Sequence, residues 1–189
     1  MTNNHRLALA SKSPRRLQLL NGAGLDVIIV PSRAEPNLER DGSGAEQALC
    51  SALAKLPTRT LEFLTLSADT VVHLRHKCFG KPDSPDEAII MLNKLSGRAH
   101  HVTTGVAIRH AEGVQSFSVT STVHFRHLTA VEIAHYVASG EPMDKAGAYG
   151  IQGLGAGLIE RVEGSHTAVV GLPLSETLKA LHELGIRRQ

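Results

Sequence analysis

The sequence predicts a mixed α/β fold of the α+β kind, and three observations carry it. Val102, Thr104, Val106 and Ile108 alternate along the chain, as do Phe117, Val119, Val123 and Phe125, with the turn Ala111-Glu112-Gly113 between the two sets. Two long antiparallel strands explain both patterns. Helix-start signals recur between shorter apolar runs, so helices and strands interleave without repeating as βαβ units. No GxxxxGK[ST] is present and Gly153-Leu154-Gly155-Ala156-Gly157 does not fit GxGxxG, which removes the P-loop and the dinucleotide-binding alternatives. With 189 residues, no internal repeat and no low-complexity linker, residues 1–189 read as one domain, or as one domain with two lobes.

The elements follow in order. Leu7 to Ala10 is a short apolar run leading into a polar bend. Ser13 suits an N-cap and Pro14 the first helical position, where a missing N–H costs nothing. Leu17, Leu19 and Leu20 give that helix an apolar side, and Gly22 stops it. Leu25 to Val30 reads as a buried strand closed by Pro31, and Ser32 to Gly44 as a polar loop. Ala45 to Lys55 is a helix ended by Pro57. Leu64 to Val72 reads as a strand with Asp69 inside it, and His73 to Lys77 as a hairpin turn leading to Gly80-Lys81-Pro82. Ser84-Pro85-Asp86-Glu87 opens a helix that Ser96-Gly97 ends. Thr129-Ala130-Val131-Glu132 opens another, closed by Gly140. Glu141 to Gly157 is Gly-rich and unperiodic; Leu158 to Val162 is a strand, and Leu174 to Leu184 the final helix, stopped by Gly185.

Composition narrows the function classes. A 42% hydrophobic share with 20% charged residues is that of a soluble globular protein. The net charge of +2 gives no bulk attraction for nucleic acid or anionic membrane, and 3% aromatic residues with no Trp disfavour a base-stacking binder. No apolar run approaches the ~20 residues of a membrane span. The N-terminus lacks a secretory signal core, and Cys50 and Cys78 form neither CxxC nor a metal spacing. These features place the protein in the cytoplasm with reduced thiols.

Several side chains carry candidate chemistry. Around Ser11, Ser13, Arg15 and Arg16, hydroxyls, guanidinium groups and helix-start amides converge: either an anion site for phosphate or an ordinary capped helix with solvated arginines. Asp69, within an apolar strand, is a metal ligand, a base for water, or an acid satisfying a turn. Lys81 is a phosphate clamp or half of an ion pair with Asp69. Glu35, alone, reads as a solvated loop acid, and Lys55 as a cation at a helix C-terminus. Gln152, among glycines, either reads a base edge with its amide or is incidental. The 11 histidines show no HExxH or inverse pattern and read as surface or turn residues.

Leu9-Ala10-Ser11-Lys12-Ser13-Pro14-Arg15-Arg16 resembles the N-terminal signature of the Maf family of nucleoside triphosphate pyrophosphatases. Glu35, Lys55, Ala68-Asp69-Thr70, Gly80-Lys81-Pro82, Leu95-Ser96-Gly97-Arg98, Asp144 to Gly153, Gly164-Ser165 and Val169 to Leu174 extend the resemblance over nearly the whole chain, in order. It implies a Maf/ITPase-like elongated mixed sheet with flanking helices and two lobes around a central cleft, in a homodimer. It implies hydrolysis of a nucleoside triphosphate to the monophosphate and pyrophosphate with a divalent cation, Mg²⁺ or Mn²⁺. Ser11, Arg15, Arg16, Lys55 and Lys81 would then hold the triphosphate, with Lys81 also part of the catalytic set. Glu35 and Asp69 would serve the metal and the attacking water, Asp69 as base or metal ligand. Arg15, Thr70 and Gln152 stand where substrate choice is set, and Gly-Ile-Gln-Gly is similar to the branch acting on dTTP and UTP. Two departures are Ala34, where an acid often precedes Glu35, and Leu56, where Ala usually follows Lys55. The alternatives are the same reaction on methylated GTP or another purine triphosphate, and a non-catalytic nucleotide-binding regulator of septum formation.

Overall fold

Alternation along two long strands sets the architecture. In the computed structural model, which describes residues 6–33, 43–58 and 62–186, β1 (Arg6–Leu9), β2 (Asp26–Ile29), β3 (Leu64–Leu74), β4 (Lys77–Phe79), β5 (Ala99–His110), β6 (Gly113–Phe125) and β7 (Ile159–Glu163) form one sheet. Its order is β2-β1-β3-β5-β6-β7, with β4 paired to β3. The first three strands in that order run parallel and the remaining pairs antiparallel. The β5–β6 hairpin pairs Ala99 with His124 through to His110 with Gly113, as the alternation predicts. Around the sheet lie α1 (Pro14–Gly22), α2 (Gly44–Lys55), α3 (Pro85–Leu95), α4 (Ala130–Ala138), α5 (His166–Val170) and α6 (Leu174–Glu183). The Gly-rich segment forms three 3-10 turns: Glu141–Asp144, Ala146–Ala148 and Gly153–Leu158. None of the described helices is long and apolar enough to cross a membrane.

Two apolar clusters occupy the two ends of the long strands. Leu66 and Ala68 of β3, Val106 and Ile108 of β5, Leu20 of α1 and Leu181 of α6 build one. Val72 of β3, Val102 of β5, Phe125 of β6, Leu92 of α3 and Ile133 of α4 build the other. Thr70 lies on the same face of β3 as Ala68 and Val72, so it falls at the junction. On the opposite face α2 packs so closely that a Cβ on Gly105 would stand 2.3 Å from the Ala48 carbonyl oxygen. Only glycine fits there.

Four local expectations need correction. The run at Leu25–Val30 forms an edge strand of four residues with Ile29 59% exposed, because nothing among the described residues pairs with its outer side. Ser13 holds the N-cap position without a side-chain cap bond; its own N–H donates to Ser11 Oγ at 3.2 Å instead. Helix α1 includes Gly22, and the left-handed turn comes at Gly24. His100 is fully buried, not on the surface or in a turn, because the inward face of β5 runs through its even-numbered residues. The capping box at Thr129 and Glu132 forms with both reciprocal bonds. At Ser84 the cap forms, but Glu87 reaches back to the Asp83 N–H.

Candidate active site

A break in strand pairing positions the site. On the side of β3 away from β5, β1 pairs with Leu64–Leu66 and β4 with Val72–Leu74. Ser67 to Val71 therefore border an opening, and residues on both faces of the strand can reach the same space. Asp69 and Thr70, consecutive and oppositely directed, both line a cavity of about 820 Å³. That volume falls within the range of small-molecule sites.

The cavity collects the predicted residues that the structure describes. Ser11, Arg15 and Arg16 enter from the β1–α1 bend, Lys55 from the end of α2, Lys81 from beyond β4 and Gln152 from the Gly-rich segment. Glu35 lies outside the described residues. The lining also includes Lys12, Arg33, Glu141, Asp144, Lys145 and Tyr149, which the residue-by-residue reading passed over. Lys12, Asp144, Lys145 and Tyr149 fall within the stretches that carry the family resemblance, and Arg33 in the polar loop; for Glu141 no local signal exists.

Lys55 Nζ donates to Asp69 Oδ1 at 2.5 Å, and their side chains are 6% and 15% exposed. Ending a helix whose face packs on β3, Lys55 is delivered to the acid by helix length and by the bond from Ser67 Oγ to the Ala52 carbonyl at 2.6 Å. A carboxylate paired in this way is buried without being left uncompensated.

Arg16 is 8% exposed and braced by protein oxygens. Its Nε donates to the Gly171 carbonyl at 2.8 Å, one terminal nitrogen to Ser11 Oγ at 3.0 Å and the other to Thr70 Oγ1 at 3.2 Å. Thr104 Oγ1 donates to the Ala168 carbonyl at 2.8 Å, which uses its single hydrogen. The 2.8 Å contact between Thr70 and Thr104 is then donated by Thr70. With that proton committed, the Thr70 hydroxyl faces Arg16 as an acceptor. Arg15 differs: it is 30% exposed and its guanidinium stands 3.9 Å from the Asp144 carboxylate across the cavity mouth.

The Gly-rich side is held by a carboxylate. Glu141 Oε1 accepts from the Gly155 N–H at 3.0 Å and the Tyr136 hydroxyl at 3.0 Å, and Oε2 accepts from the Leu154 N–H at 2.9 Å. Partial burial works to raise the Glu141 carboxyl, but these amide and hydroxyl donors more than offset it and hold the group below its ordinary value. Tyr149, also in the lining, is fixed from beneath by His100 Nε2 at 2.7 Å.

For a divalent cation the described residues offer part of a donor set. No three His, Cys, Asp or Glu side chains gather among them, and a hard cation takes one or two carboxylates together with substrate phosphate oxygens, a share that the Asp69 carboxylate in the cavity lining can supply.

The Maf-like protein family model matches residues 6–184. The chain belongs to the Maf family. Among relatives of this Maf chain, the dTTP/UTP pyrophosphatase of Methylobacillus flagellatus is 44% identical, the match covering 97% of this chain and 95% of the relative. That of Moorella thermoacetica is 46% identical over 96% of each chain. That of Bacillus velezensis is 43% identical over 96% and 98%. The solved structure of the Staphylococcus aureus Ham1 protein matches with a TM-score of 0.50 at 16% identity, covering 94% of this chain and 98% of that one, a likeness of fold.

Proposed function

We propose that this Maf-family protein is a nucleoside triphosphate pyrophosphatase that hydrolyses dTTP and UTP to the monophosphate and pyrophosphate with Mg²⁺ or Mn²⁺. The observation that carries the reading is the convergence of the Asp69–Lys55 pair, Arg15, Arg16, Lys81 and Gln152 on one cavity. Full-length relatives named dTTP/UTP pyrophosphatase support the choice of base.

The chemistry follows from residue types. Water attacks the α-phosphorus, the bond to the bridging oxygen of the β-phosphate breaks, and pyrophosphate leaves. Arg15 and Lys81 bind phosphate oxygens, and Arg16 keeps Ser11 oriented toward them while adding fixed charge. Asp69 receives the proton of the attacking water or, with Glu35, would hold the cation; Lys55 fixes the direction of its carboxylate. When bound, a divalent cation would neutralise charge at the phosphates. Gln152 presents both amide donor and acceptor to the edge of the base.

The test is a panel of triphosphates with Mg²⁺ or Mn²⁺, scored for pyrophosphate. Release of orthophosphate instead would refute the reaction. Asp69→Asn should lower kcat by roughly 10²- to 10⁴-fold with the fold intact; substantial residual turnover would remove Asp69 from the chemistry.

A further inference from the structure

Gln152 sits on the Gly-rich segment, where its side chain makes no hydrogen bond among the described residues, so its aim depends on what holds the main chain around it. Two side chains from outside residues 150–155 do so, one on each flank. Tyr136, 5% exposed in α4 and packed among the apolar residues beneath, accepts the Gly150 N–H at 3.2 Å on its hydroxyl oxygen. The same hydroxyl donates to Glu141, whose two carboxylate oxygens take the N–H groups of Leu154 and Gly155. The segment folds back tightly enough that a Cβ on Gly155 would stand 2.3 Å from the Gly150 carbonyl oxygen and 2.6 Å from the Tyr136 hydroxyl. At Gly153 (φ +73°) a Cβ would meet Glu141 Oε2 at 2.6 Å. The main chain is therefore moulded around these two side chains, with Gln152 on the arch between the pinned points.

We propose that Glu141 and Tyr136 form a positioning pair that sets base selectivity by holding the Gly150–Gly155 arch, and with it Gln152, in the base-reading geometry. The pair acts through the arch, away from the reacting phosphates, so its effect belongs to recognition of the base and not to bond cleavage. The proposal rests on the pyrimidine triphosphate reading above. The hydroxyl of Tyr136 both donates and accepts, so its removal loosens both flanks while leaving the ring in its apolar seat.

The variants are Glu141→Ala and Tyr136→Phe, the second removing one oxygen from a packed ring. Three readouts apply: steady-state hydrolysis of UTP and GTP, inhibition by inorganic triphosphate, and amide hydrogen exchange over residues 150–156. For Glu141→Ala, KM for UTP should rise about tenfold with kcat changed less than about threefold, and the preference for UTP over GTP should fall by a similar factor. The inhibition constant of inorganic triphosphate, which has no base, should stay within about twofold. Exchange at Leu154 and Gly155 should speed at least about tenfold in Glu141→Ala, and at Gly150 in Tyr136→Phe, with α4 unchanged. Unchanged exchange in the folded variants overturns the pair as the clamp. Inhibition by inorganic triphosphate weakening as much as KM rises overturns its role in base selectivity. If the unaltered protein does not hydrolyse UTP, the functional reading fails, and base selectivity fails with it; hydrogen exchange still decides whether the pair holds the arch.

Discussion

His100 carries a consequence for stability. It is fully buried, hydrogen-bonded to Tyr149 and edge-on to Phe125 with ring centroids 4.9 Å apart. Burial, outweighing the opposite pull of the Arg98 main chain, pushes its pKa down to about 4. Between pH 6.5 and about 4 the unfolded chain takes up a proton that the folded one refuses, so stability falls as pH drops through this window and not above it. The loss should total about 3 kcal/mol at pH 4; His73, also lowered by burial, adds to it with the same sign. Urea melts at pH 4.5 and 7 should show a shallower dependence for His100→Gln, whose amide keeps a partner for Tyr149. The sequence held the clue to this burial, because His100 continues the even-numbered inward set Val102, Val106 and Ile108. The donation of Thr70 to Thr104, and so its acceptor role toward Arg16, had no such clue: it depends on a carbonyl at Ala168, 64 residues from Thr104.

Among the elements, α2 links packing to the site. Its main chain lies on β5 at Gly105 and its last residue is the Lys55 that meets Asp69. Gly105→Ala forces main chain to move, so it should cost about 1–3 kcal/mol. A displacement of Lys55 by an ångström should also reduce turnover by as much as about 10²-fold. Gly22→Ala, with nothing within 4 Å of the new Cβ, serves as the control: turnover should stay unchanged and stability should not fall, rising by at most about 1 kcal/mol. Thermal melts and kcat measure the two effects. The extent of α2 was legible from Ala45 to Lys55 because its polar start and Pro57 bound it, and the β5–β6 hairpin because its alternation is long. The exposed edge position of β2 was not, since a run such as Val27-Ile28-Ile29-Val30 reads the same at a sheet's edge and in its middle. The three 3-10 turns lacked any periodicity to read.

At the scale of the whole molecule, two apolar clusters share one sheet and the cavity lies where they meet. At the cavity mouth Arg15 and the 69% exposed Asp144 pair at 3.9 Å, a contact worth little by itself. A nucleotide that engages the β1–α1 bend and the Gly-rich segment together would join the two ends more firmly. A non-hydrolysable pyrimidine triphosphate at 100 times its Kd should stabilise the fold by about 2.7 kcal/mol. That corresponds to a rise in Tm of roughly 5–10 °C for a chain of this size. Calorimetry should show one transition moving as a unit; a shift confined to part of the heat absorption would mean that the ligand touches one end alone.

The opening beside β3 has one more effect. Asp69 and Thr70 meet the ligand space from opposite faces of a single strand, so the distance between the acid and the hydroxyl that steadies Arg16 is set by one peptide unit. The strand is a covalent ruler. Side chains around it can be exchanged for other bases or tails without changing that interval, whereas a slip of β3 by a single residue would put the hydroxyl in the acid's place and end both roles at once.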